Sequence, residues 1–320
     1  MRRNAALSAR EGRHFTGAIN PNLALRGLQY FGIMAAKGGI ELKCDCHMHM
    51  ILDGVEWRNA IRRHENGPDL GFIRAVLEKY RALGYGYLRD GGDRWGAGKA
   101  AREMAKEYEI VYRTPLAPIC KAGHYGAFIG EKYESLAQFA SLVKKHRENG
   151  ADFIKIMISG LMDFDRLGVL TEEGLPEKEI RELIHIAHEE GFAVMAHCNG
   201  ARTAQAAAAA GVESIEHGAY LDEQALAAMK EMETVWVPTL STVGNLRGKG
   251  RFEEKAVAAI LESAMENLIA FSAMGGLIAV GSDAGAWAVE HGCETEWALL
   301  EQVVPKAVLK AGNRAIMERF

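Results

Sequence analysis

No apolar run in this chain is long enough to cross a bilayer. The longest, around Phe271 to Gly281, is short and interrupted by Ser272, Gly275 and Gly276. No apolar segment follows the basic residues Arg2, Arg3, Arg10 and Arg13, so a secretory signal is not expected, and Glu11 speaks against an organelle transit peptide. The expected compartment is the cytoplasm. A disulfide framework is also missing, because the five cysteines are odd in number and spread over 320 residues. Cys44 and Cys46 form a C-x-C, but no second pair completes a zinc knuckle, so both read as small buried apolar side chains. There is no strong charge excess. The formal net charge of −4 gives no reason to expect a nucleic acid or an anionic membrane as partner. Finally, no G-x-G-x-x-G follows the first strand candidate, which argues against a dinucleotide-binding fold.

What is present is an ordinary globular mix, 48% hydrophobic and 25% charged, which excludes disorder as a general state. From residue 41 onward short apolar runs alternate with helical patterns. The strand candidates are 42–46, 86–89, 114–119, 153–158, 193–196, 212–215, 235–237 and 277–280. Between several of them lie helix candidates at 69–83, 175–190, 201–210, 222–232 and 253–274. Repeated strand–helix units imply a parallel sheet with helices outside, and about eight of them imply a closed (β/α)8 TIM barrel. The expected organisation is an N-terminal extension over residues 1–40 and one barrel domain over 41–320.

In such a barrel, functional side chains belong at the C-terminal ends of strands. The first strand ends Asp45-Cys46-His47-Met48-His49. Residues two apart share a face, so His47 and His49 project together, with Asp45 expected beside them as an orienting partner. Alone, an H-x-H in a chain with 11 histidines is as well explained by chance. Lys155 stands inside the apolar run FIKIMI. Burying an ammonium ion there is expensive, so it has a carboxylate partner, reaches solvent along its stem, or has a chemical use such as carbamate formation with CO2. His197, His217 and Asp283 end the fifth, sixth and eighth runs. Each singly reads equally well as a packed histidine or a capping aspartate. Together they follow the barrel order.

The order H-x-H, Lys, His, His, Asp resembles the amidohydrolase superfamily. The segments FIKIMISG, MAHCNG, SIEHG, VPTL and GSDAG are similar to its prolidase-like and imidazolonepropionase-like branch, over about residues 43 to 284. The resemblance implies a two-metal centre. His47, His49 and Asp283 would hold one divalent ion and His197 and His217 the other, with a carboxylated Lys155 and a hydroxide bridging both. Zinc suits these ligands first, and iron, manganese, cobalt or nickel also fit. The implied chemistry is attack of the bridging hydroxide on an amide carbonyl, with Asp283 moving the proton to the leaving group. His124, in Ala122-Gly123-His124-Tyr125-Gly126, matches a histidine that contacts the substrate carbonyl in similar prolidase-like proteins; a plain loop histidine is the other reading. Tyr220 is a candidate donor to the developing oxyanion, or a packing residue.

Two features depart from the resemblance. The segments flanking the barrel are short, so the accessory β-sandwich of many relatives is expected to be absent or truncated. Lys155 is followed by MISGLMDF, without the Gly-Gly common in prolidase-like relatives, which leaves dipeptidase specificity open. A lactonase or phosphotriesterase-like hydrolase shares the two-metal chemistry. A deaminase is disfavoured by Lys155 and by Gly200 standing where such enzymes place a glutamate. A catalytically silent binding barrel is the reading from another class. The expected partners are a small-molecule substrate, whether Xaa-Pro dipeptide, N-acyl amino acid or cyclic amide, and further copies of the chain in a homo-oligomer.

Overall fold

The described strands are parallel, and most connections between them run through helices as the alternating pattern requires. The computed structural model describes residues 43–320; the expected extension over residues 1–40 lies outside them. Three strands, β1 (Lys43–Met48), β2 (Tyr85–Asp90) and β3 (Val111–Arg113), form one sheet in that order. The other strands are β4 (Ile119–Lys121), β5 (Glu131–Tyr133), β6 (Ile154–Met157), β7 (Val194–Cys198), β8 (Ser214–His217), β9 (Val235–Val237) and β10 (Leu277–Ile278). They form a second sheet in the order β10-β9-β8-β7-β6-β4-β5. All strand pairs are parallel.

Backbone hydrogen bonds tie the two sheets to each other at both ends. Cys46 N donates to Val280 O at 2.8 Å, and Asp283 N donates to His47 O at 2.7 Å. At the other side Asp152 N, just before β6, donates to Thr114 O, just after β3, at 3.0 Å. The expected third strand at 114–119 falls in the gap between β3 and β4 except for its last residue, Ile119, which opens β4. Pro115 and Pro118 have no N–H to give to a ladder, and Leu116 sits at φ 69°, so the run cannot continue as a strand. All described strands belong to these two sheets, so no separate β-sandwich is formed among the described residues.

The helices are built from their patterning. Leu70–Ala82 buries Ile73, Val76, Leu77 and Tyr80, spaced for one helical face, and Asp69 caps it by accepting from Phe72 N at 3.0 Å. Glu254–Ala273 is long and apolar enough, by length and composition only, to cross a membrane. Here it buries Val257, Ile260, Leu261, Leu268 and Phe271 in the main core. The helix Lys306–Arg319 follows in the chain, and Ile316, Met317 and Phe320 pack with Cys44, Cys46, Tyr87, Phe153 and Met195 in an inner cluster. All five cysteines are free.

One buried carboxyl group ties a helix to the ends of the sheet. Glu296, on Thr295–Val303, accepts from Ser241 N at 2.7 Å, and Ser241 Oγ donates to Ser282 O at 2.6 Å. Burial pushes the Glu296 carboxyl up to about 8. Below the ordinary carboxylate range it is neutral in folded and unfolded chains alike. Between about pH 4.5 and 8 only the unfolded chain ionises, so folding stability falls across that window. Glu296→Gln is therefore expected to gain stability over the wild type as pH rises from 5 to 8, by on the order of a few kcal/mol. Urea melts at the two pH values check this; parallel curves would contradict it.

Candidate active site

The parallel pairing places the expected residues side by side. Met157 of β6 pairs with His197 of β7, and Cys198 of β7 pairs with His217 of β8. Inside β1 the register shifts between Asp45 and Met48, and this bulge breaks the two-residue alternation. As a result Asp45 does not face the imidazoles. Its carboxylate accepts from Ser282 Oγ at 2.5 Å, Ser282 N at 2.9 Å and Tyr80 Oη at 3.1 Å, with His47 N at 3.2 Å. The expected orienting role thus acts through the backbone of His47 and the strand next to it. Burial raises Asp45 to about 6.

His47, His49, Lys155 and Asp283 converge tightly. His47 Nε2 lies 3.3 Å from His49 Nε2, 3.3 Å from Lys155 Nζ and 3.4 Å from Asp283 Oδ1. His49 Nε2 lies 3.2 Å from Asp283 Oδ1. The His217 ring is centred 5.1 Å from that of His47 and 4.6 Å from that of His197. One potential donor atom each from His47, His217 and Asp283 fall within 4.8 Å of one another.

The other face of each ring shows which nitrogen is free. His47 Nδ1 contacts Glu216 Oε2 at 2.8 Å, and His217 Nδ1 contacts Thr239 Oγ1 at 2.7 Å. His197 Nε2 faces the Gly160 carbonyl at 3.1 Å, which must receive a proton. Nε2 of His47 and His217 and Nδ1 of His197 are thus left for a ligand. Burial, reinforced by Lys155, pushes His47 well below the usual histidine range and His197 down to about 3. Burial followed by neighbouring His197 does the same to His217. Lys155 itself is lowered to about 8 by burial.

Neutral imidazoles with converging lone pairs repel one another unless something positive lies between them. Among the described residues no hydrogen-bond donor reaches the buried Asp283 Oδ1. These observations fit a divalent cation, for which nitrogen and oxygen donors are ordinary ligands. The backbone is strained here too. His217, Tyr220, Thr239 and Asp283 all have φ between 51° and 68°, a left-handed region that non-glycine residues rarely occupy. Gly91 approaches so closely that a Cβ there would lie 2.1 Å from His49 Cε1.

The cluster forms the floor of a cavity of about 850 Å³. His49, Lys155, His197, His217 and Asp283 line it. His124 and Tyr220, expected at the substrate, are not among its lining residues. His124 stands in a turn whose Gly123 and Gly126 have positive φ, and its Nδ1 lies 3.8 Å from Glu172 Oε2. The next residue, Tyr125, lines the cavity instead, its ring 4.8 Å from that of His197. Tyr220 packs against the main core. His291 is buried and contacts the Leu52 carbonyl at 2.9 Å.

Three further residues support the floor and were not among the expected site residues. Glu216 sits one residue before His217 and Arg89 one residue before the end of β2; they join at 2.9 Å, both fully buried. Asn199 lines the cavity and latches two loops, donating to Gly160 O at 2.9 Å and accepting from Ala219 N at 3.0 Å. A buried-residue signal is available for Arg89 and Glu216, since both lie in apolar strand contexts where charges need partners.

Comparison with known proteins follows the same line. No family model matches the chain. Ochratoxinase of Aspergillus niger is 24% identical over 318 residues, which covers 85% of this chain and 65% of that protein. The chain therefore spans 65% of the length of the curated relatives it matches. The A. niger ochratoxinase crystal structure superposes with a TM-score of 0.65 at 19% identity, covering 86% of this chain and 69% of that one. A Xaa-Pro dipeptidase with bound methionine gives 0.64 at 20% identity, covering 86% and 72%.

A solved structure described as an amidohydrolase gives 0.65 at 21% identity, covering 84% of this chain and 71% of that one.

Two variants test the construction of the floor. Gly91→Ala is expected to displace the His49 ring and weaken divalent-metal binding at least tenfold, while circular dichroism stays that of the wild type. Glu216→Gln leaves Arg89 buried without its anion and is expected to lower stability by about 3 kcal/mol, read from denaturant melts.

Proposed function

We propose that this chain is a metal-dependent hydrolase of the amidohydrolase superfamily that cleaves an amide C–N bond. The observation that carries the reading is the convergence of four histidines, Lys155 and Asp283 on the floor of a large cavity, with three ring nitrogens left free by partners behind them. The similarity to proteins named ochratoxinase, Xaa-Pro dipeptidase and amidohydrolase supports the bond type. We read the two sheets as one (β/α)8 barrel whose third strand is split by Pro115 to Pro118 into β3 and β4.

In this reading His47, His49 and Asp283 hold one divalent ion, and His197 and His217 hold a second. Lys155 would be a further ligand: its neutral amine can add to CO2 and release a proton, which would turn a cation into an anionic carbamate. A lysine lowered to about 8 by burial offers that neutral amine near physiological pH. When bound, the two cations supply polarisation of the substrate carbonyl and acidification of water.

The remaining steps belong to the chain. Asp283 Oδ1, without a donor partner, accepts a proton from the attacking water and delivers it to the amine nitrogen as the C–N bond breaks. Water adds across the bond, so a carboxylic acid and an amine leave. Glu216 fixes the His47 ring from behind and Thr239 that of His217, so the floor need not reorganise during the reaction. The expected substrate is a small molecule.

Purified protein is expected to carry about two divalent metal ions per chain by elemental analysis, and to hydrolyse members of a panel of Xaa-Pro dipeptides, N-acyl amino acids and cyclic amides. Asp283→Asn is expected to keep the fold by circular dichroism but lose at least a thousandfold in kcat/KM, about 4 kcal/mol of transition-state stabilisation. Folded protein that binds no metal and cleaves no amide would overturn the reading.

A further inference from the structure

A second cavity, of about 490 Å³, opens elsewhere on the molecule, and no residue of the histidine floor lines it. Its size is within the range of small-molecule sites. Arg247 and Lys249 line one side. Gly248 between them sits at φ 71°, a region that favours glycine, and its N–H donates to Glu254 Oε1 at 2.8 Å. The loop over residues 288–293 forms another side. The two loops are stitched together by Asn245 Nδ2, which donates to Ala288 O at 2.9 Å.

The lining charges do not balance. Lys79, Arg247 and Lys249 share the cavity with one carboxylate, Glu290, which leaves an excess of two positive charges. Glu290 lies 3.8 Å from Lys79 Nζ. Among the described residues Arg247 and Lys249 have no carboxylate partner. A guanidinium fork beside an ammonium is the donor set that phosphate oxygens take. His291 lines the same cavity and is 5% exposed. Its Nε2 donates to the Leu52 carbonyl at 2.9 Å, and burial holds the ring down to about 4, so near neutral pH the ring carries that one proton. Nδ1 is therefore a lone-pair acceptor, and it is buried with no hydrogen-bond partner among the described residues. A fully ionised phosphate has no proton to give it, whereas a hydroxyl group has.

We propose that this second cavity binds a phosphate monoester of a small polyol, the phosphate held by Arg247, Lys249 and Lys79 and a hydroxyl donating to Nδ1 of His291. Bound there, the ligand ties the loop over 244–249 to the loop over 288–293. The latter follows Trp287, which lines the large cavity, and Leu52, the acceptor of the His291 proton, lines that cavity too. The second site thus braces the rim of the first without touching its floor.

The probes are glycerol 2-phosphate, isopropyl phosphate, which has the same branching without the hydroxyls, and inorganic phosphate. Each is titrated into the metal-loaded protein by calorimetry at pH 7.5, a condition chosen so that about all of the two esters is dianionic. Glycerol 2-phosphate is expected to bind at least fivefold more tightly than either of the others. In the double variant Arg247→Ala/Lys249→Ala both esters are expected to bind at least tenfold more weakly. His291→Phe keeps a ring against Phe72 and Tyr80 and removes both nitrogens, and it is expected to bind the two esters within twofold of each other. Hydrogen exchange with glycerol 2-phosphate present is expected to slow over residues 244–249 and 288–293, which locates the site even where His291→Phe fails to fold. Equal binding of the two esters to the wild type, or inorganic phosphate binding as tightly as the polyol ester, would overturn the proposal. So would affinity unchanged in the double variant, or slowed exchange confined to the peptides carrying His197 and His217, which would put the phosphate on the floor of the large cavity.

Discussion

The guanidinium of Arg89 is the hinge of the structure. It is fully buried, donating from Nε to the Cys46 carbonyl at 2.6 Å, from Nη1 to Ser214 Oγ at 3.0 Å and from Nη2 to Glu216 Oε1 at 2.9 Å. The Phe320 ring lies 4.4 Å from its centre. Glu216 then passes the connection on through Oε2 to Nδ1 of His47. One chain of contacts thus runs from the last residue through β2 and β8 to β1, across both sheets. A buried ion pair is tolerable only when geometry and remaining hydrogen bonds are satisfied, because desolvation of each charge costs several kcal/mol. Here every part of the fork is used, so the pair commits the surrounding strands to one arrangement.

That commitment has an electrostatic consequence at the floor. Glu216 is taken up by Arg89 and by the ring behind it, so its charge is spent beneath the cluster. Above it burial holds His47, His197 and His217 below the usual histidine range, and among the described residues Asp283 Oδ1 has imidazole nitrogens of His47 and His49 within ion-pair distance. The cluster is therefore rich in lone pairs and poor in protons. The left-handed backbone at His217, Thr239 and Asp283 brings these groups inward at a conformational cost, and Trp236 Nε1 secures the first of them by donating to the His217 carbonyl at 2.9 Å.

Much of this was legible in the sequence because period and position carry it. Val235 to Val237 is both an expected and an observed strand, and the five helix candidates match within about two residues at their ends, as boundary fraying allows. His47, His49, Lys155, His197, His217 and Asp283 meet as the strand-end rule requires. Three things were not legible. The bulge in β1 turned Asp45 away from the ring it was expected to orient, and no local signal marks a one-residue register shift. The run at 114–119 looked like a strand by apolar content, while its two prolines forbid the ladder. The helix Thr295–Val303 and the helix Lys306–Arg319 follow the last expected strand, and only their burial against the sheet shows their place in the core.

The cavity walls were illegible for a different reason. The floor comes from strand ends, whose order in space follows their order in the chain. The walls come from loops and one helix start: Trp57, which opens the helix Trp57–Arg63, and the loop residues Phe128, Phe164, Phe252 and Trp287 are spread over 230 residues, as the difference between positions 57 and 287 shows, and no periodicity links them. Loops can exchange such side chains while Arg89, Glu216 and the strand pairing beneath stay satisfied. The chemistry of the floor and the shape of the walls are thus set by separate parts of the chain. A substitution on the walls should change which molecule is held far more than how the floor is built, and this separation lets one cluster serve different substrates.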